Sequence, residues 1–393
     1  MPRNIVICCD GTANEFARNN TNVVKLYYTL DQDPARQLTY YHPGLGTMEP
    51  AGALTTFARK ATKLLGMAIG YGLADDIRDV YAFLMNVYEE GDRLFLFGFS
   101  RGAYTVRAVC SLLHMYGLIR PGNDSLVPYA IRMMTGINRA GRDTPRNRKA
   151  KSEFFELAGN FKATLARDDC KPHFVGVWDT VSSVGWIENP LKLPYVSSNP
   201  DIGIGRHAVA IDERRAFFRT HLWRRPDSAG VEWGPRDVKQ VWFPGVHCDV
   251  GGGYPESESG LSKAALDWML QEAKAAGLAV DSAREQEVLG AAPGSRYAKP
   301  DADAPAHESL KGAWNLAEFV LKKHYDWKTG KHGRRMNLYR RRTIPAGSLV
   351  HESAFLRKGG YSLRLPSDAI RVQTIKAPLP DSPTASESGR ITG

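Results

Sequence analysis

Apolar runs alternate with helical patterns through the first 250 residues of the chain. The helical segments, such as LADDIRDVYAFLMNVYEEG, place apolar residues every three or four positions, and acids occupy the first turn. This alternation is typical of βαβ units built around a mostly parallel sheet. We therefore predict an α/β fold with a doubly wound sheet. Its predicted strands are IVICC (5–9), QLTYYHPG (37–44), RLFLFGF (93–99), HFVGVWD (173–179) and VKQVWFPG (238–245).

The segments between and after these strands predict additions to the core. Residues 118–171 are basic and polar and predict an insertion outside the sheet, and 186–235 predicts a lid-like segment whose RHAVAIDERRAFF is helical. An amphipathic helix is expected from about Ser262. The predicted units are a catalytic core (1–283), a C-terminal elaboration packed on it (284–375) and a disordered Pro/Ser-rich tail (376–393).

Composition narrows the class of protein. With 393 residues and 43% hydrophobic content, the chain can bury a large core. Its net charge of +10 favours acidic partners such as phosphate head groups. The five cysteines show no metal-type or disulfide spacing, which favours a reducing, cytoplasmic location. No signal peptide is expected, because the N-terminus runs into a predicted strand without a small-residue cleavage site. No membrane span is expected either, because LLGMAIGYGL (64–73), interpreted as an apolar loop, is too short to cross a bilayer.

Gly98-Phe99-Ser100-Arg101-Gly102 is the main chemical motif. It fits G-x-S-x-G between a predicted strand and a predicted helix, where the flanking glycines make room for a sharp turn and an exposed hydroxyl. The helix N-terminus would also aim the N–H of Arg101 at a developing oxyanion. The alternative interpretation is a tight or phosphate-binding turn without covalent chemistry.

A nucleophilic serine needs a base, and the base needs an orienting acid. Asp179 ends one predicted strand and His247 follows another, in the order Ser, acid, His. Asp179 could instead cap its turn, and His42 is a rival base that precedes the serine. Asp249 is an alternative acid or a substrate-binding residue.

CDGTAN, after the first strand, is expected beside the nucleophile strand. Gly11 or Thr12 could supply the second oxyanion N–H there, and Asp10 and Asn14 could bind substrate. A polar turn that bonds its own backbone is the alternative.

Other chemistries have weaker support in the sequence. No metal motif or nucleotide-binding loop is present, so no cofactor is expected, although Asp10, Asp179 and Asp249 could converge on one cation. The basic stretch 322–342 could grip anionic phosphates, but a solvated face is the commoner outcome, and no nucleic-acid partner is expected.

Taken together, several ordered stretches resemble the α/β-hydrolase catalytic domain of type VI secretion lipase effectors. The matching stretches are CDGTAN, NNTNVVKL, YYHPGLGT, GYGLADDIRDVYAFL, GDRLFLFGFSRGAYTVRAV, VGVWDTVSSVG, VWFPGVHCDVGGGYPES and LSKAALDWM, with RRTIPAGSLVHESAFLR further on.

The resemblance implies a serine hydrolase, in some members a phospholipase, with Ser100, Asp179 and His247 at the positions of the family's triad. It implies a lipid ester as substrate, peripheral contact with a membrane, and export by type VI secretion as a possibility beside the cytoplasmic location. Acyl-chain and head-group preference and oligomeric state stay open.

Overall fold

The protein is described by a computed structural model that covers most of the chain. The described residues are 2–11, 19–44, 57–136, 145–181, 185–186, 189–190, 193–224, 234–312, 314–326 and 331–374.

The described residues contain fourteen strands and ten α-helices. In chain order the strands are β1 (Asn4–Cys9), β2 (Gln37–His42), β3 (Arg93–Phe99), β4 (Leu118–Ile119), β5 (Ala166–Arg167), β6 (Pro172–Trp178), β7 (Gly185–Trp186), β8 (Asn189–Pro190), β9 (Ile204–Ala210), β10 (Asp237–Phe243), β11 (Lys322–Asp326), β12 (Lys331–Arg335), β13 (Leu349–His351) and β14 (Ile370–Val372). The helices are α1 (Asn22–Thr29), α2 (Phe57–Val87), α3 (Arg101–Tyr116), α4 (Val127–Gly136), α5 (Pro145–Leu165), α6 (His247–Gly251), α7 (Gly260–Ala275), α8 (Ser282–Val288), α9 (Trp314–Ala317) and α10 (Glu352–Leu356).

Eight of the strands form one sheet in the order β14-β13-β10-β9-β6-β3-β1-β2. All seven pairings between neighbours are parallel. The predicted α/β class with a mostly parallel sheet is therefore confirmed. The strand order reverses at β1, since β2 lies on one side of it and β3 on the other. Ligands in open α/β sheets bind outside the carboxyl ends of the strands at such a reversal.

Helices cover both faces of the sheet because its central strands are apolar on both sides. Alternate residues of β1 belong to different core clusters, with Ile5 and Ile7 on one face and Val6 and Cys8 on the other. The first cluster includes residues of α2 to α5, and the second includes residues of α1, α7 and α8. A sheet covered in this way requires strands that read as nearly continuous apolar runs.

The prediction of a helix in RHAVAIDERRAFF was wrong. Residues Ile204–Ala210 form β9, which pairs with β6 and β10 in the middle of the sheet. Because β9 is buried on both faces, its apolar residues do not alternate, and short runs of this kind do not distinguish strand from helix. The interval 186–235 therefore contains a core strand and is not a lid throughout.

Two other predictions are corrected in part. The stretch 64–73, interpreted as a loop, lies within the 31-residue helix α2, where single glycines cost only about 1 kcal/mol each. The C-terminal part does more than pack on the core, since it adds β13 and β14 to the sheet. The predicted insertion 118–171 contains α4, α5 and the pair β4–β5, outside the main sheet. The tail 376–393 lies outside the described residues.

A buried ionic cluster joins α1 to α7. The carboxylate of Glu256 contacts the ammonium groups of Lys25 at 2.5 Å and Lys263 at 2.9 Å, and both lysines are at most 1% exposed. Burial, together with the nearby Lys25, lowers the pKa of Lys263 to about 7. One carboxylate thus compensates two buried cations.

Glu256→Gln should lower the free energy of unfolding by about 2–4 kcal/mol, because removing one partner leaves buried charges uncompensated. Urea unfolding followed by circular dichroism measures this change. Glu153→Gln is the matched control, since Glu153 faces solvent and lies 3.9 Å from Lys149. That substitution should change stability by less than about 0.5 kcal/mol. Equal effects of the two substitutions would contradict the role given to Glu256.

Candidate active site

Ser100 occupies a sharp turn between β3 and α3. Its φ of 57° and ψ of −116° are unusual for a residue other than glycine. The backbone N–H of Ser100 donates to the carbonyl of Trp178 at 3.1 Å, which fixes the turn to the end of the neighbouring strand β6. A strained strand–turn–helix conformation of this kind presents a serine hydroxyl at the carboxyl edge of a sheet.

The two glycines around Ser100 permit close backbone contacts. A Cβ on Gly98 would lie 2.6 Å from the backbone of Gly102, and a Cβ on Gly102 would lie 2.2 Å from the carbonyl oxygen of Cys9. Both distances are well below any real carbon contact. The glycines therefore let α3 approach both β3 and the end of β1.

Asp179 directly follows β6 and lies one strand away from the serine turn. Because Phe99 pairs with Trp178, the residues Ser100 and Asp179 leave adjacent strands at equivalent positions. Asp179 is fully buried and has a positive φ of 35°. Its Oδ1 accepts the backbone N–H of Ala210 at 3.0 Å.

His247 opens the short helix α6 after β10 and contacts Asp179. Its Nδ1 lies 2.6 Å from Asp179 Oδ2, and its backbone N–H donates to Glu213 Oε2 at 3.2 Å. The imidazole packs against Phe99, the residue before Ser100, with 4.6 Å between ring centroids. Within the described residues, no hydrogen bond joins His247 Nε2 to the Ser100 hydroxyl.

The electrostatics favour an ionised Asp179. Burial opposes its charge, but the Arg342 guanidinium and the His247 hydrogen bond hold the pKa of its carboxyl well below its usual range. The carboxyl of Glu213 is also ionised. Burial raises its pKa, but the ion pair with Arg215 outweighs this effect and lowers the pKa to about 2. Two ionised carboxylates therefore hold His247. Asp179 contacts its ring, and Glu213 accepts its backbone N–H.

The alternative acid Asp249 bonds to other groups. Its Oδ1 lies 2.6 Å from His307 Nδ1, and its Oδ2 accepts the N–H of Val246 at 2.9 Å. The rival base His42 ends β2, on the far side of β1 from the serine, and its Nδ1 accepts the N–H of Gly44 at 3.2 Å. The acid contacting His247 is Asp179.

Asp10 braces the turn after β1. Its carboxylate accepts the hydroxyl groups of Thr21 at 2.6 Å and Tyr41 at 3.1 Å. Asp10 Oδ1 also accepts the N–H of Gly11 at 2.7 Å, so the expectation that Gly11 donates to an oxyanion conflicts with this hydrogen bond. Thr12 and Asn14, predicted to contact substrate or oxyanion, lie outside the described residues.

Arg101 is the first residue of α3, as predicted, which places its backbone beside Ser100. Its guanidinium is buried and lies 3.6 Å from Asp76. Burial lowers the pKa of Arg101.

The three strand-end aspartates do not gather around one position. Asp10 contacts Thr21 and Tyr41, Asp179 contacts His247, and Asp249 contacts His307. In the described part of the chain, no group of three or more His, Cys, Asp or Glu residues could hold a metal ion.

Sequence reasoning missed two residues that contact His247 and Asp179. Glu213 follows β9, so the incorrect helix prediction concealed its position at the sheet edge. Arg342 contacts Asp179 from the basic stretch 322–342, which was interpreted mainly as a solvated face. Only the late stretch RRTIPAGSLVHESAFLR, which contains Arg342, could have signalled it.

The parallel sheet, the strained serine turn and the polar loops at its carboxyl edge define a protein of the α/β-hydrolase class. Residues 3–272 match the family described as the T6SS phospholipase effector Tle1-like catalytic domain. The chain belongs to this family, as the resemblance predicted. An uncharacterized protein of Saccharomyces cerevisiae is 34% identical over 225 residues, which are 55% of this chain and 32% of the yeast protein. The chain thus spans about a third of that relative.

The solved structures to which the chain is similar have lower sequence identity. An uncharacterized protein from Pseudomonas aeruginosa has 20% identity and a TM-score of 0.40, with 71% of this chain and 46% of that chain covered. A Tle1 effector bound to the VgrG spike of the type VI secretion system has 17% identity and a TM-score of 0.34, with 66% and 52% covered. The chain therefore spans about half the length of each.

Gly102→Ala should lower the free energy of unfolding by about 2 kcal/mol or more, because the new methyl group would overlap the Cys9 carbonyl. Thermal unfolding measures the loss. Gly159→Ala is the matched control, since it lies in α5 with open space around it and should stabilise the protein by about 0.5–1 kcal/mol. Normal stability of Gly102→Ala would contradict the close approach of α3 to β1.

Proposed function

We propose that the chain is a serine hydrolase that cleaves carboxylic esters of phospholipids through Ser100, His247 and Asp179. The observation that carries this proposal is the 2.6 Å contact between His247 Nδ1 and Asp179 Oδ2 beside the strained turn of Ser100. With Nδ1 oriented by the carboxylate, Nε2 is the ring nitrogen that can act as base. In unliganded enzymes the nucleophile–base contact is often long and tightens when substrate binds.

The proposed reaction is acyl transfer. Ser100 Oγ attacks the ester carbonyl while His247 Nε2 takes the hydroxyl proton, and the carbonyl oxygen becomes an oxyanion beside the N–H of Arg101 at the start of α3. The C–O bond to the alcohol then breaks, and His247 gives its proton to the departing oxygen. Water attacks the acyl-enzyme by the same route and releases the fatty acid. Asp179 stays ionised and stabilises the imidazolium. Thr12 remains a predicted second donor.

A lipid substrate is supported by the family and by the surface beside His247. Phe218 packs edge-on against the imidazole at 4.8 Å and against Trp314 at 5.4 Å. Trp314 is partly exposed, and large apolar side chains follow it at the surface, including Leu316, Phe319 and Leu321. The aromatic rings of Phe218 and Trp314 therefore connect the proposed base to the surface, and the exposed apolar side chains suit peripheral contact with a bilayer.

We also propose export by type VI secretion, because the family is one of type VI effectors. No described helix has the length and apolar character needed to cross a membrane. Co-purification of the chain with a VgrG spike protein tests this part of the proposal, and failure to co-purify with any spike of the producing cell would count against it.

Ser100→Ala should abolish release of fatty acid from phosphatidylglycerol or phosphatidylethanolamine vesicles, since the nucleophile is lost. Mass spectrometry of the lipid products measures this release. Covalent labelling by a fluorophosphonate probe should disappear as well, because only an activated serine reacts.

The control for that experiment is Ser362→Ala, which removes an exposed hydroxyl in the C-terminal part. It should leave labelling and activity unchanged. If the unsubstituted protein neither reacts with the probe nor releases fatty acid, the chain is a binding module. Full activity of Ser100→Ala would eliminate Ser100 as the nucleophile.

Asp179→Asn should lower kcat by about 10³- to 10⁴-fold, because the amide favours the wrong tautomer of the base. Asp249→Asn should lower kcat far less, since Asp249 contacts His307 and the backbone of Val246. Steady-state kinetics on a soluble short-chain ester compare the two variants. A larger loss for Asp249→Asn would transfer the role of acid to Asp249.

A further inference from the structure

Four side chains from beyond the family match contact residues that follow β6, β9 and β10 at the carboxyl edge of the sheet. His307 lies 2.6 Å from Asp249, and Ser309 donates to Glu213 at 2.9 Å. Glu318 accepts the N–H of Ala216 at 2.7 Å. The fourth residue, Arg342, contacts Asp179 itself. The family match ends at residue 272, so the C-terminal part completes the surroundings of the site.

Arg342 donates hydrogen bonds to Asp179 from both terminal nitrogens of its guanidinium. Nη1 lies 2.5 Å from Oδ1 and Nη2 lies 3.1 Å from Oδ2. The same two nitrogens donate to the carbonyls of Ala210 at 2.9 Å and Phe218 at 2.6 Å. The guanidinium is therefore fixed to the end of β9 and to the segment that follows it, as well as to the carboxylate, and its side chain is only 8% exposed.

These two hydrogen bonds restrict the Asp179 carboxylate to one orientation. Oδ1 accepts Ala210 and Arg342, while Oδ2 accepts His247 and Arg342. Rotation of the carboxylate away from the imidazole would break several charge-assisted hydrogen bonds in a fully buried position. The orientation that presents Oδ2 to His247 is thus held by a residue that does not contact the base.

We propose that Arg342 is a positioning residue for the reaction, which fixes the Asp179 carboxylate against His247 and partly neutralises its charge. This inference rests on the proposed function. It assigns to the C-terminal part a role in setting the pH range of the base.

The second role follows from the charges around the imidazole. A carboxylate beside a histidine stabilises the imidazolium, and a cation on that carboxylate weakens the effect. The other titratable or charged groups on the elements around His247 and Asp179 are Glu213, Arg215, His207, Cys248, Asp249 and His307, and the last two bond to each other. Arg215 forms its ion pair with Glu213, whereas Arg342 contacts the proposed acid directly.

Removal of the Arg342 charge should therefore keep His247 protonated to higher pH. In Arg342→Gln we expect the acid limb of the kcat/KM profile to move upward by about half a pH unit or more. The maximal value of kcat/KM, on the plateau of the profile, should fall by about 10- to 100-fold, because the Asp179 carboxylate loses its fixed orientation. Arg342→Lys should leave the acid limb near that of the unsubstituted protein, since it keeps the charge, but should not restore the plateau fully.

Arg206→Gln is the matched control. Arg206 is also a buried arginine that holds two carboxylates, Asp237 at 2.7 Å and Glu272 at 2.5 Å, but it lies in β9 away from the serine turn. Its substitution should lower stability without moving the acid limb. An acid limb that does not move in Arg342→Gln, or that moves equally in both variants, would overturn the proposal.

A measurement without turnover separates this inference from the proposed function. Histidine-selective ¹⁵N labelling, with His247→Gln for assignment, gives the NMR titration midpoint of the His247 ring. The midpoint should rise in Arg342→Gln relative to the unsubstituted protein and stay in place in Arg342→Lys. If the midpoint shifts but the fluorophosphonate probe does not label the unsubstituted protein, the effect of Arg342 on His247 is supported. The proposed serine hydrolase function is then rejected. Should Arg342→Gln fail to fold, a midpoint displaced by half a pH unit or more in Arg342→Lys would overturn the inference.

Discussion

The candidate site depends on one buried charge, the carboxylate of Asp179. It is fully excluded from solvent, and its charge is stable only because His247, Ala210 and Arg342 supply hydrogen-bond donors to both oxygens. Removal of one of these partners would lower the free energy of unfolding, by about 3–5 kcal/mol for a broken buried ion pair. The loops that carry its partners are therefore held to one arrangement by the need to satisfy this group.

The second constraint is steric and acts on the serine turn. Without side chains on Gly98 and Gly102, helix α3 lies directly on β3 and on the end of β1. The start of α3 is thereby placed at the carboxyl ends of β1 and β3, which are paired in the sheet at the reversal of strand order. The backbone strain at Ser100 is thus imposed by packing that involves both neighbouring strands.

The sequence predicted the parallel sheet and the elements next to the serine because these have strong local signals. Five apolar runs gave five strands, and the G-x-S-x-G motif placed Ser100 between a strand and a helix, where the structure has it. The strand β9 was missed because burial on both faces removes the alternation that distinguishes a strand. Arg342 was missed for a different reason, since nothing local marks a basic side chain whose partner is 163 residues away. The catalytic roles of Ser100, His247 and Asp179 remain predictions.

The separation between Asp179 and Arg342 also has a consequence for biosynthesis. Chains emerge from the ribosome with the N-terminal part first. The strands from β1 to β10 and both proposed members of the acid–base pair are complete by residue 247, whereas the guanidinium and the last two sheet strands are made only later. A chain made only to the end of α7 lacks the guanidinium that contacts Asp179 and the strand that pairs with β10 in the finished sheet. The finished arrangement of the site must await synthesis of Arg342, β13 and β14, and a product terminated before them lacks it.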